Sequence, residues 1–171
     1  MIVEDGIIKI KINKSILAII RSYCQVSRNM PEAGGVILGR ENISNDNLII
    51  EVISEPLRND KQTRTRFIRQ DQEHVEWFEK IYVESNNTIR YVGEWHTHPE
   101  DVPHYSSLDM LNWRKIKKYA NKSVIHYHII AGRKALAIWK IMGENRLPVS
   151  IGTYLWKDII DSEKNKVKDN R

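Results

Sequence analysis

Residues 93–109 read GEWHTHPEDVPHYSSLD. Along an extended strand, side chains two residues apart leave the same face. His96 and His98 therefore project together, and Trp95 points the other way, towards the interior. Pro99 has no N–H to offer a neighbouring strand and ends the run. After a short loop, Ser106 opens a helix with Asp109 one turn in, where its carboxylate can turn back towards the histidines. Two imidazoles and one carboxylate leave a tetrahedral zinc with an open position, the arrangement of catalytic rather than structural zinc. Each fragment also has a plainer explanation. A histidine pair can be incidental to a strand, and Ser-x-x-Asp at a helix start has the form of a capping box.

The chain around this stretch suits one domain. Its 171 residues support one sizeable core, and the net charge of +5 is mild. Residues 1–156 are expected to form the domain and 157–171 a charged C-terminal tail that begins as a short helix. No window has the continuous apolar length of a bilayer span, and MIVEDGIIKIKIN lacks the basic start and apolar core of a signal peptide, so the cytoplasm is the expected location. The single cysteine, Cys24, excludes an internal disulfide and a multi-cysteine zinc cage. Set near the end of an amphipathic helix, it reads as a buried, inert thiol. Basic residues gather at Arg58, Lys61, Arg64, Arg66 and Arg69, and again at Arg114, Lys115, Lys117 and Lys118. Acidic residues and apolar spacers interrupt both groups and no nucleic-acid motif accompanies them, so they read as solvated faces, with no nucleic-acid partner expected.

The pattern of elements is mixed. GIIKIKI (6–12) alternates as a half-buried strand, and ILAIIRSYCQV reads as a helix. GGVILGR and LIIEVISEP predict two strands joined by ENISNDN. A charged loop over 57–65 leads to a short strand, RFIRQ. Asp71 is placed to cap a helix that turns Val75, Phe78 and Tyr82 to one side. TIRYVGEWHTH is a strand, the next helix runs to Tyr119, and VIHYHIIAG with ALAIWKIM makes a strand pair. Without regular strand–helix alternation, the class is α+β.

H-x-H-P, six residues, then S-x-x-D resembles the signature of the JAMM metalloproteases, also called MPN+ or JAB domains. The upstream glutamate of that family is matched by Glu32 in PEAGGVILG. The resemblance runs from the first helix to about Met142. It implies a JAB/MPN-like fold, a central mixed β-sheet flanked by helices in a single domain. It also implies hydrolysis of an isopeptide or peptide bond with Zn2+ held by His96, His98 and Asp109, Glu32 as general base then acid, and Ser106 as donor to the oxyanion. Glu94 shares a strand face with the histidines and competes with Glu32 on geometry alone. It is assigned to orienting a histidine or meeting substrate. His104 in the motif loop is a further substrate-contact candidate. His126 and His128 form a second H-x-H without a completing proline or aspartate and read as structural, with His128 the nearer to the cleft.

The compact chain and its GEWHTHPE run look like standalone bacterial JAB proteins, the best known of which serve CBASS antiphage operons. The implied partners are a protein conjugate with an extended C-terminal tail (a CD-NTase or a ubiquitin-like protein) and ubiquitin-activating- and ubiquitin-conjugating-like enzymes encoded beside it. Two other readings stay open. One is a processing peptidase for a ubiquitin-like sulfur carrier, and the other is an inactive MPN binding scaffold.

Overall fold

The structure is a computed structural model that describes residues 1–42, 44–119, 124–143 and 146–161. Strand β1 (Ile2–Asp5) pairs antiparallel with β2 (Ile8–Ile12) across a turn where Gly6 holds a φ of 63°. That backbone region carries no steric penalty for glycine. The alternating run read over 6–12 is therefore the second strand of a hairpin, and the first is too short to show a period. Helix α1 (Lys14–Ser22) buries Ile16, Leu17 and Ile20, three positions at helical spacing. Cys24 lies buried just past its end, and burial pushes its thiol up to about 11, as fits an inert group.

Strands β3 (Gly34–Glu41) and β4 (Leu48–Ile53), the two the sequence predicts on either side of ENISNDN, pair antiparallel. A two-stranded hairpin follows, β5 (Lys61–Thr63) and β6 (Arg66–Ile68), then helix α2 (Glu73–Glu84). Strand β7 (Arg90–Thr97), helix α3 (Ser107–Tyr119), and strands β8 (His126–Ala131), β9 (Ala135–Ile141) and β10 (Val149–Leu155) complete the order, with a further helical segment at 156–161. The main sheet has eight strands in the order β1-β2-β4-β3-β7-β8-β9-β10. The β2–β4 and β7–β8 pairs are parallel and the rest antiparallel, so the fold is α+β around a mixed sheet. Strand β10 has no counterpart in the sequence reading. Its residues alternate weakly and none is fully buried.

Two cores flank the sheet. On one face α1, Trp156 and Ile159 pack against Ile37, Leu48, Trp95, Ile129 and Leu136. The inward Trp95 donates from Nε1 to the Ser54 carbonyl at 2.9 Å. On the other face Trp113 of α3 meets Ile130, Ala137, Trp139 and Ile141. Ile159 of the expected tail thus joins the core, while the remainder of that tail, 162–171, lies outside the described residues. Among the described residues no helix is long and apolar enough to cross a membrane.

Helix α2 departs from expectation. The N-cap is Gln72, without a side-chain capping bond, and Asp71, expected to cap, stands one residue ahead and accepts from the Glu73 amide at 3.1 Å. The apolar stripe of the helix does not face a core: Val75 is 36% and Tyr82 38% exposed, and only His74 is buried. The anchor is polar. His74 Nδ1 meets Ser54 Oγ at 2.8 Å and Nε2 meets Asp60 Oδ2 at 2.7 Å. Asp60 also accepts from the amides of Leu57, Gln70 and Asp71, and Asp71 accepts from Asn59, so two carboxylates pinch the base of the β5–β6 hairpin. Burial opposes ionisation of Asp60, but these donors outweigh it and hold the carboxyl below its usual range.

Candidate metal centre and cleft

The end of β7 and the start of α3 meet at one point. His96 Nε2 lies 3.0 Å from His98 Nε2, 3.3 Å separates His96 Nε2 from Asp109 Oδ1, and 3.4 Å separates His98 Nε2 from Asp109 Oδ2. With bonds of about 2.0–2.1 Å, neighbouring ligand atoms on a tetrahedral zinc stand roughly 3.3 Å apart. The trio matches that spacing, and two imidazoles with one carboxylate are a donor set zinc favours. Both histidines are buried and Asp109 nearly so, which limits competition from water.

Local structure explains how Asp109 gets there. The Ser106 backbone N–H and hydroxyl both donate to Asp109 Oδ2 at 2.6 Å, and the Asp109 amide donates back to Ser106 Oγ at 3.1 Å. This reciprocal capping box turns the carboxylate towards the histidines, so the capping and metal readings of Ser106 and Asp109 describe one arrangement. Burial would raise the Asp109 carboxyl, but His96, His98 and Ser106 outweigh it and hold it well below the usual range. For His98, burial favours the neutral ring and is outweighed by Asp109 and Glu32, which raise its pKa.

Glu32 reaches the same cleft from a separate segment just ahead of β3, and is 4% exposed. Two contacts fix its backbone. Its own amide donates to the Thr63 carbonyl of β5 at 2.7 Å. Next to it, Ala33 donates its amide to Thr97 Oγ1 at 3.0 Å and accepts from the Thr97 amide at 2.8 Å. Thr97, the residue between the two histidines, thus points away from them and pins the neighbour of Glu32. Burial pushes the Glu32 carboxyl up to about 7, against the opposing pull of His98 and of a Phe67 backbone amide that donates to it. A carboxyl poised near neutrality can both take and return a proton.

The other sequence candidates are placed as follows. Glu94 lines the cleft, but its partner is Arg69, whose Nε donates to Oε1 at 2.8 Å, and it makes no hydrogen bond to a ligand histidine. Glu100, which the sequence reading passed over, lies 3.8 Å from His98 Nδ1 and accepts from the His104 amide. The His104 side chain is exposed and outside the cleft lining. His128 does not reach the cleft. It is fully buried, stacks on Trp113 with centroids 4.3 Å apart, and neither ring nitrogen has a hydrogen-bond partner. Burial keeps its pKa well below the ordinary value, so the ring is neutral. His126 is likewise buried.

From the trio a cleft of about 520 Å³ runs between two walls, the β5–β6 hairpin (Arg66, Phe67) and α3 (Leu108, Lys115, Ile116). Gly34 lets the hairpin close on the sheet, since a Cβ there would stand 2.5 Å from the Phe67 ring.

The model of the family described as prokaryotic homologs of the JAB domain matches residues 15–142, a span holding every residue of this site. The chain belongs to that JAB family. It is 33% identical over 143 residues to a protein of Pseudomonas aeruginosa (strain BWHPSA011 / Pa011) named CD-NTase/cGAS isopeptidase, covering 84% of this chain and 89% of that one. An Escherichia coli (strain TW11681) protein of the same name is 36% identical over 121 residues, 71% of this JAB chain and 74% of the other. Among solved structures, protein DSY2949 of Desulfitobacterium hafniense superposes with a TM-score of 0.52 at 19% identity, over 82% of this chain and 88% of that one, a likeness of fold.

Proposed function

We propose that this JAB protein is a zinc-dependent isopeptidase of the cytoplasm. Its substrate is the bond joining the C-terminus of a CD-NTase or ubiquitin-like protein to a target, made by ubiquitin-activating- and ubiquitin-conjugating-like enzymes in a CBASS-type antiphage pathway. The observation that carries this reading is the convergence of His96, His98, Asp109 and Glu32 in one cleft, on a chain similar over most of its length to proteins named CD-NTase/cGAS isopeptidase. His96, His98 and Asp109 would hold Zn2+, which would supply the Lewis acidity that lowers the pKa of a water towards neutrality. Glu32 takes the proton of the attacking water and delivers it to the departing amine. Ser106 holds Asp109 in place, and a rotation about one bond turns its proton from that carboxylate to a developing oxyanion. The tail lies extended in the cleft, with the hairpin on one side and α3 on the other.

The test is cleavage of a CD-NTase tail joined through a lysine to a reporter protein. Cleavage is expected to stop with chelator and return with added zinc. Chelator-resistant cleavage overturns the reading, and a purified protein that neither contains nor takes up zinc supports a binding scaffold instead.

A further inference from the structure

Two basic groups stand far apart in the sequence, one over 58–69 and the other over 114–118. The fold brings members of both to a single cleft. Arg66 and Arg69 line it from the hairpin side and Lys115 from α3. Glu94 neutralises Arg69. Arg66 and Lys115 are exposed and, among the described residues, have no carboxylate partner. The remaining carboxylate of the lining, Glu100, stands at the metal end, 3.8 Å from His98 Nδ1. Beyond the trio, Glu32 and Glu100, the walls therefore carry Arg66 and Lys115 without an ion-pair partner, and Phe67, Leu108 and Ile116 supply apolar contact in the same lining. We infer that Arg66 and Lys115 select tails bearing an acidic side chain upstream of the bond that is cut. The inference rests on the isopeptidase reading for the existence of that bond.

A peptide suits this cleft better than a nucleic acid. A strand of phosphates laid along it would bring a charge against each of Glu32, Glu100 and Asp109, which line the same cleft. A peptide can place one or two carboxylates on the free cations and leave uncharged residues at the head of the cleft. Because Arg66 and Lys115 are exposed, each contact is modest and salt-sensitive, and discrimination of about fivefold per charge step is the scale to expect.

The experiment uses the zinc-loaded protein and lysine-linked conjugates whose tails differ at one position, Glu, Gln or Lys, scanned through the last six residues. At one or two positions kcat/KM should fall in the order Glu, Gln, Lys, with the spread shrinking in about 0.5 M salt. The double variant Arg66→Glu/Lys115→Glu should invert that order. Equal rates at every position, a preference for Lys, or an order unchanged in the double variant overturns the inference. If no conjugate is cut, the isopeptidase reading fails by itself, and calorimetry with the free Glu and Gln peptides still decides the selectivity. Tighter binding of the Glu peptide upholds it, whereas equal binding, or displacement of that peptide by an oligonucleotide, overturns it.

Discussion

Glu32 and Thr97 show how far single residues could be read. The metal trio was legible because its pieces are local: residues two apart on a strand share a face, and a serine three before an aspartate builds its own cap. Thr97 was silent, since its partner Ala33 lies 64 residues away and only the folded sheet joins them. Thr97→Val keeps the shape but leaves the Ala33 amide without its buried acceptor, which costs about 1–3 kcal/mol. The melting temperature should fall, and kcat should fall further than stability accounts for, while zinc uptake persists. An unchanged kcat would remove Thr97 from the positioning of Glu32. Glu32→Gln should retain zinc and lose roughly a hundredfold or more in kcat. It also has a pH signature in the metal-free protein. Burial raises this carboxyl to about 7, so the folded state holds its proton more tightly than the unfolded chain does. That contribution is complete below the unfolded value near ~4.3 and is lost as the pH rises through about 7. Metal-free wild type and Glu32→Gln should therefore melt alike in acid, and the variant should be the more stable at alkaline pH. A gap that does not vary with pH would mean that burial does not control this group.

At the scale of elements, the β5–β6 hairpin was the hardest to read and matters most to the cleft. Strand β6 is legible in RFIRQ, but β5 is three polar, exposed residues with no apolar alternation, so 57–65 passes for a charged loop. What defines it is outside it. Asp60 gathers amides from both sides of the hairpin and accepts from His74, and Gly34 lets Phe67 approach the sheet. The apolar stripe of α2 misled for the same reason, because buried polar contacts rather than that stripe hold the helix. Asp60→Ala strips a buried, multiply bonded carboxylate from this base, a loss on the order of 3 kcal/mol. Hydrogen exchange should quicken across 57–71 first, and KM should rise while zinc affinity stays put. Faster exchange spread evenly over the sheet would show that the carboxylate supports the whole fold and not this wall.

For the whole molecule, the site stands where the sheet is joined to α3. His96 lies in β7 and His98 just past its end; that strand pairs with β3 on one side and runs parallel to β8 on the other, and the carboxylate comes from the helix covering the second core. The α+β class could be read from element types alone. The order of the eight strands could not, since the outer strand β10 is too exposed to announce itself and pairs beyond the recognisable motif. An ion held by His96, His98 and Asp109 would link sheet and helix, so binding should stabilise the entire cooperative unit. At a thousandfold excess over Kd, a single site adds about 4 kcal/mol. For a domain of this size, that shifts Tm by roughly 10 °C. Zinc added to metal-free protein should produce such a shift in the wild type and in Glu32→Gln, which keeps every ligand. It should produce none in Asp109→Ala, where the helix no longer contributes a donor. An equal shift in Asp109→Ala would place the bound zinc elsewhere on the molecule, and the link between sheet and α3 would then not depend on metal.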